Sequence, residues 1–146
     1  MKQSIIMLLI VGLVVGAVGA QEITVVTEEF PPFNYMEDGE ITGASTEIVR
    51  ATLAKAGIQA DIRIYPWARA YWMASEQKNV LIYTLARSPE REELFKWIGP
   101  IVPPIRAALF KLKERTDIVL TSLDDARQYQ IGVVQIDGGH QILLQY

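Results

Sequence analysis

Two arginines and a hydroxyl stand close together in residues 84–91, a polar stretch that follows a short apolar run. The planar guanidinium of Arg87 or Arg91 matches a carboxylate with two parallel hydrogen bonds, and the hydroxyl of Thr84 can add another donor. This combination favours a site for an organic anion with an apolar or cationic body. The alternative is that both arginines pair on the surface with the glutamates of residues 90–93.

A second candidate group lies at residues 30–35, Phe-Pro-Pro-Phe-Asn-Tyr, directly after the apolar residues 23–27. Two prolines end a strand in a stiff loop, because proline fixes φ and has no N–H. Phe30 and Tyr35 would then stand at the carboxyl end of a strand, where open α/β sheets bind small ligands. Trp67, at a predicted helix start, adds a third ring. The alternative for all three rings is a place in the core.

The elements that would position these side chains alternate between strands and helices. Period-two patterns and short apolar runs predict strands at residues 23–27, 60–64, 79–83, 105–111 and 131–134. Helical spacing or helix-start signals predict helices at residues 45–56, from Pro66 through 74, from 88, from 123 and from 141. Strands that alternate with helices form a parallel sheet. We therefore predict an α/β fold.

Local signals predict where the first helix and the turns lie. Ser45 or Thr46 is suited to cap the helix, and Gly57 is suited to end it. Residues 36–43 are predicted to be a polar excursion with a turn at Asp38-Gly39.

Composition excludes several classes of function. The chain has no cysteine and one histidine, so only His140 could serve a Ser/His nucleophile pair, and we expect no metal, no cofactor and no catalytic residue. The net charge is −3 and no basic run is present. Nucleic acid is therefore not an expected partner.

Residues 1–20 have the pattern of a secretory signal peptide. Lys2 gives a positive start, residues 5–15 are nearly all apolar, and residues 18–20 are small. We predict cleavage before Gln21, the alternative being an uncleaved anchor shorter than the roughly 20 residues that span a bilayer. No cysteine is present to accept a lipid, so we predict a soluble periplasmic protein.

The order of the motifs resembles the family 3 extracellular solute-binding proteins, the substrate-capturing components of ABC importers. The matching segments cover residues 23–135: the strand before residues 30–35, Gly39, Gly43, Glu47-Ile48, Pro66-Trp67-Ala68-Arg69-Ala70, Arg87-Ser88-Pro89-Glu90-Arg91-Glu92, Gly99-Pro100, Leu109-Phe110, and Leu123-Asp124 leading to Ile131-Gly132-Val133. Each segment is common by itself, whereas the ordered series is specific.

The resemblance implies a bilobed α/β fold of the type II periplasmic-binding kind, whose lobes close over a solute by a hinge motion. We expect residues 21–110 to form the first lobe and residues 111–146 the start of a second, truncated lobe, because each lobe needs roughly 100 residues. The sequence thus resembles the amino-terminal part of such a protein. On that expectation the chain alone binds solute weakly or not at all.

The resemblance also implies roles for individual residues. Phe30 matches the aromatic position that packs on the side chain of the ligand, Arg91 matches the arginine that clamps its α-carboxylate, and Thr84 matches a neighbouring hydroxyl. A second hydroxyl position of the family is Ala86 here, and Arg87 is an addition shared with a less characterised branch. The predicted function is capture of an amino acid or related carboxylated solute by a monomer that is not an enzyme and delivers it to an ABC importer permease.

Two further functions stay open from the sequence. The same fold hosts dehydratases and transglycosylases, which need a carboxylate of raised pKa in the cleft, and Glu28 and Glu29 are the candidates beside the first loop. A sensory input module is the other possibility, although no transmembrane or signalling segment follows in the sequence.

Overall fold

A computed structural model of the protein describes residues 22–104 and 106–146. The elements in the first part of the chain are β1 (Ile23–Thr27), β2 (Tyr35–Glu37), β3 (Glu40–Thr42), α1 (Ala44–Lys55), β4 (Ala60–Ile64), α2 (Trp67–Glu76) and β5 (Val80–Ile82). Later elements are a 3-10 helix at Pro89–Arg91, a second 3-10 helix at Asp124–Gln128 and α3 (Gly138–Leu143). The predicted leader, residues 1–20, lies outside the described residues.

Strands β1, β4 and β5 form a parallel sheet with β1 in the centre. Val25 of β1 is in register with Ile62 of β4 and with Leu81 of β5. The central strand is the most deeply buried, since Val25, Val26 and Thr27 are each at most 1% exposed. The predicted order of strand, helix, strand, helix and strand is confirmed, and the carboxyl ends of all three strands lie at one edge.

One hydrophobic cluster of the core lies between the sheet and α1. Its buried members are Val25, Leu53 and Tyr83. Half-buried apolar residues surround them: Ile23, Val49, Ile58, Ala60, Ile62, Leu81 and Ile101. Burial of each full-sized apolar side chain contributes about 1.5–3 kcal/mol to stability, so this cluster holds α1 against the strands.

The predicted cap of α1 is wrong. The N-cap residue is Gly43, and both Ser45 and Thr46 lie inside the helix, where they are buried. Residues 30–35, which we call the proline loop, lie against the start of this helix. The carbonyl of Phe33 in this loop accepts hydrogen bonds from the N–H groups of Ser45 at 2.9 Å and Thr46 at 3.4 Å. The loop thus supplies acceptors for the first N–H groups of the helix, so no side chain is needed there.

A hairpin of β2 and β3 occupies the predicted polar excursion. The turn at Asp38 and Gly39 is confirmed, with φ values of 50° and 84° as a two-residue hairpin turn requires. The two strands pair antiparallel, with Tyr35 opposite Thr42. Sequence patterns missed them because each strand has only three residues and the hairpin is mostly exposed.

Two predicted strands in the second part of the chain are wrong. Residues 106–111 and 131–134 have no strand partner among the described residues, and Ile105 lies outside those residues. Phe110 is 92% exposed and Val134 is 52% exposed. Apolar runs such as these become strands only where another strand can accept their hydrogen bonds.

Helix α3 starts three residues before the predicted position. The carboxylate of Asp137 caps it by accepting the N–H of His140 at 2.6 Å. No helix in the described ranges combines the length and the apolar content that crossing a membrane requires.

Candidate functional site

The candidate residues come together around the carboxyl edge of the parallel sheet. Phe30 follows β1, Trp67 starts the helix after β4, and Thr84 follows β5. Because these strands are parallel neighbours, the segments after them leave the sheet on the same side. The sheet therefore brings together three positions that are far apart in sequence.

The proline loop after β1 holds its aromatic rings in place by short-range contacts. Phe30 and Phe33 stack with ring centroids 5.5 Å apart. The Phe30 N–H donates to the Asn34 carbonyl at 2.6 Å, and the Asn34 N–H donates back to the Phe30 carbonyl at 3.1 Å. Phe30 and Tyr35 are both half-buried, so part of each ring is open to a ligand.

Thr84 is oriented by the proline loop. Its hydroxyl donates to the side-chain oxygen of Asn34 at 2.5 Å. Its φ is 60°, a left-handed conformation that is unusual for a β-branched residue. The hydroxyl hydrogen of Thr84 is therefore already used inside the protein.

Arg91 is the buried cation of the site, with only 4% of its surface exposed. Its guanidinium donates to the carbonyls of Ala86 at 3.0 Å and Ile136 at 2.7 Å. It also lies over the rings of Trp67 and Tyr71, with 5.5 and 5.3 Å from its central carbon to the ring centroids. No carboxylate among the described residues forms an ion pair with it.

A row of four aromatic rings supports the arginines. Neighbouring rings are 5.5 to 5.8 Å apart, in the order Trp67, Tyr71, Phe95 and Trp97. The row joins α2 to the segment after the first 3-10 helix. Trp67 is 6% exposed, and its indole N–H has no partner among the described residues.

Arg87 lies at the other end of this row. Its guanidinium is over the ring of Trp97 at 5.4 Å, and its Nε donates to Glu92 at 2.7 Å. The side chain is 61% exposed. Pairing with a surface glutamate is the alternative that the sequence allows for both arginines. Arg87 forms such a pair, and Arg91 does not.

Two acidic side chains border the site. Burial raises the pKa of Glu28, and the negative charge of Asp137 raises it further. Asp137 follows Ile136, whose carbonyl Arg91 contacts, so residues 136–137 lie beside the first part of the chain. Glu29 instead accepts the N–H of Met36 at 3.1 Å.

Sequence reasoning missed three contributors to this site. Tyr71 could have been found, because it lies one helical turn after Trp67 and shares its face. Asn34 and Ile136 act through hydrogen bonds to residues 50 and 45 positions away, and no local pattern signals such bonds.

Two surface grooves lie away from these residues. One of about 630 Å³ runs between the end of α1 and β4, and one of about 530 Å³ lies beside α3. Neither groove is lined by any of the six predicted site residues. Within residues 22–104 and 106–146, no three acidic or histidine side chains are placed to hold a metal ion.

Comparison with known proteins gives one family. The family model of the bacterial extracellular solute-binding proteins, family 3, matches residues 23–134. A search of curated proteins returns no match. The matched range includes the sheet, the proline loop and Arg91, and it is well over half of the chain. The family has the type II periplasmic-binding fold, in agreement with the parallel sheet found here, and the chain therefore belongs to the bacterial extracellular solute-binding proteins of family 3.

Proposed function

We propose that this protein binds a small carboxylated solute, an amino acid or a related organic anion, through Arg91 and presents it to an ABC importer permease. Membership of the family implies a small-molecule ligand, an ABC transporter partner and a location outside the cytoplasm. The carboxylate specificity and the residues that bind it are our proposal.

The burial of Arg91 without an acidic partner is the observation that carries the proposal. A buried charge is costly unless it is paired and hydrogen-bonded. Two of its five N–H groups are accounted for by the carbonyls of Ala86 and Ile136, which are neutral. Its other donors have no hydrogen-bond partner among the described residues, and we propose that they bind the oxygens of a carboxylate, whose charge would balance that of the arginine.

The neighbouring side chains support a ligand with a compact body. Phe30 is half-buried at the same edge and can pack on an apolar part of the solute. Trp67 and Tyr71 flank the guanidinium and limit its movement. Tyr35 and Thr84 are the other residues that we propose line the solute site on the side of the parallel sheet. Arg87 lies on the surface beside them.

We propose that residues 21–110 form one lobe and that residues 111–146 begin the second. The bond from Arg91 to the carbonyl of Ile136 supports a contact between the two parts at the solute. The described residues of 106–146 contain no strand, so this part of the chain offers loops and short helices to the solute and not a sheet.

A titration of the purified protein with amino acids and small organic acids tests the function. We expect carboxylated solutes to shift NMR signals around Arg91 and Phe30 in a saturable way. Arg91→Gln should weaken binding by more than tenfold, since losing one partner of a charged pair costs about 2–5 kcal/mol. Phe30→Ala should cost less, about 1–3 kcal/mol.

The matched control is Arg87→Gln, which removes an exposed arginine four positions away and should leave affinity unchanged. Thermal melts of each variant show whether it is folded. If Arg91→Gln leaves the affinity unchanged and Arg87→Gln lowers it, then Arg87 and not Arg91 binds the carboxylate of the solute. Absence of saturable shifts with every solute would contradict the proposed function.

One observation favours a second function. Burial and the charge of Asp137 raise the pKa of Glu28, which is the direction that a general acid in a dehydratase or transglycosylase needs. Release of muropeptides from peptidoglycan, if lost in Glu28→Gln and kept in Glu29→Gln, would support the enzyme. Solute binding without turnover would support the binding protein.

A further inference from the structure

We infer that Asn34 is a positioning residue that couples the proline loop to the segment after β5 and so sets the affinity of the solute site. The inference rests on the proposed function for the solute, although the coupling itself can be measured without one. Asn34 is 0% exposed, so it cannot touch a solute and must act through its neighbours.

The side-chain amide of Asn34 forms three hydrogen bonds, to two consecutive residues at the end of β1 and to Thr84. Its nitrogen donates to the hydroxyl of Thr27 at 2.9 Å and to the carbonyl of Glu28 at 2.7 Å. Its oxygen accepts from the hydroxyl of Thr84 at 2.5 Å. One buried amide of the proline loop therefore binds both to the end of β1, at Thr27 and Glu28, and to Thr84 after β5.

The orientation of this amide follows from its partners. A backbone carbonyl can only accept, so the amide nitrogen must face Glu28. The amide oxygen then faces Thr84, whose hydroxyl must donate. Because the Glu28 carbonyl fixes the orientation of the amide, and the two threonine hydroxyls adapt to it, the amide holds Thr84 against the end of β1 in one arrangement.

The main chain of Asn34 completes the link to the ligand-facing ring. Its carbonyl accepts from the N–H of Phe30 at 2.6 Å, and its own N–H donates to the Phe30 carbonyl at 3.1 Å. A change in the side chain of Asn34 is thus transmitted to Phe30 directly.

Thr84 needs this support because its backbone is strained. A β-branched residue at φ 60° is held there only when surrounding contacts compensate for the cost. The bond to Asn34 is the side-chain contact that ties it to the proline loop. Without that bond the chain before Arg91 can relax, and the arginine loses its fixed approach to the solute.

Hydrogen exchange in the ligand-free protein tests the coupling. Thr84→Val keeps the β-branched shape but removes the hydroxyl. We expect it to speed amide exchange at Phe30 and at Asn34, which lies 50 residues before Thr84. Thr84→Ser keeps the hydroxyl and should leave exchange near the wild-type rate. Thr46→Val is the control for stability, because it removes a buried hydrogen bond to the ring hydroxyl of Tyr83 that involves neither Asn34 nor Thr84.

A double-mutant comparison of solute affinity, with an NMR titration of the amino-acid panel, tests the effect on binding. Asn34→Ala should lower affinity about tenfold, and Thr84→Val should lower it by a similar factor. If the hydroxyl of Thr84 acts through Asn34, the double variant should bind as weakly as Asn34→Ala alone. Thr46→Val should reduce the melting temperature with no comparable loss of affinity.

Each outcome decides the inference. Unchanged exchange at residues 30–34 in Thr84→Val overturns the coupling, whatever the solute results. Additive losses of affinity mean that Thr84 touches the solute directly and overturn the positioning role. If no solute binds the wild-type protein but exchange responds as expected, the coupling stands and its role in solute affinity fails together with the proposed function. Should Asn34→Ala fail to fold, Thr84→Val and Thr84→Ser still decide the coupling.

Discussion

Arg87 and Arg91 have the same side chain, four residues apart, and different environments. Arg87 pairs with Glu92 in solvent, where an ion pair contributes little to stability. Arg91 is buried against two rings and bonds only to carbonyls. At the residue scale, we propose that Arg91 and not Arg87 binds the anion, because Arg91 has no negative partner among the described residues.

Glu28 provides a pH-dependent prediction at the same scale. Burial and Asp137 raise its pKa above 4.5, so its contribution to stability is full below that value and is lost as the pH rises through the folded-state pKa. Glu28→Gln should therefore raise the melting temperature at pH 7 and change it little at pH 4. Calorimetry at both pH values checks this, with Glu29→Gln as the control.

The same melting temperature for wild type and Glu28→Gln at pH 7 would show that the carboxyl of Glu28 is not destabilised by its surroundings. The second function, which depends on a raised pKa, would then lose its support.

Helix α1 begins at a glycine because of the proline loop. Gly43 has φ 108° and ψ 160°, a combination that is essentially confined to glycine. A Cβ at this position would lie 2.6 Å from the carbonyl carbon of Phe33. At the element scale, the close approach of Gly43 to the loop is what allows the loop carbonyls to bind the start of the helix.

We predict that Gly43→Ala destabilises the protein more than Gly57→Ala does. Gly57 also has a positive φ, of 68°, but a Cβ there would meet nothing within 4 Å, so only strain of about 1–2 kcal/mol is expected. Gly43→Ala adds a collision with backbone that cannot move aside. Urea unfolding of both variants measures the difference, and equal midpoints would contradict the prediction.

The 3-10 helix at Asp124–Gln128 depends on the carboxylate of Asp125. The hydroxyl and N–H of Thr121 and the N–H of Ser122 donate to it at 2.7 to 2.9 Å and lower its pKa to about 2. A lowered pKa gives stability above the ordinary value of 3.8, which is lost as the pH falls through about 2.

An NMR titration of the Asp125 carboxyl carbon should therefore show a midpoint near pH 2. Thr121→Val removes the largest cause and should move the midpoint toward its ordinary value. Arg127→Gln breaks the neighbouring ion pair with Asp124 and serves as the control. An unchanged midpoint in Thr121→Val would contradict the assignment of the cause.

At the scale of the whole molecule, we predict that the exported protein begins at Gln21. The apolar residues 5–15 and the small residues 18–20 are typical of a cleaved leader, and family membership implies a location outside the cytoplasm. Amino-terminal sequencing of periplasmic material checks the prediction. Recovery of Met1 from the membrane fraction would contradict it.

Much of the first part of the fold could be predicted from sequence because its signals are local. An apolar run identified the residues of β1, period-two spacing identified those of β4, helical spacing identified α1 and α2, and Asp38-Gly39 identified the turn. The ordered motifs also indicated the family that the family model matches. Each of the secondary-structure signals lies within a few neighbouring residues, where backbone geometry alone relates the side chains.

The sequence by itself thus predicted the alternation of the three parallel strands with α1 and α2, the family and the candidates Phe30 and Arg91. Only the tertiary structure decided which arginine is buried, what holds Thr84, and that residues 106–111 and 131–134 are not strands. The physical reason is distance along the chain. Burial and hydrogen bonding depend on partners 45 or 50 residues away, and whether such partners meet is settled only when the whole chain packs.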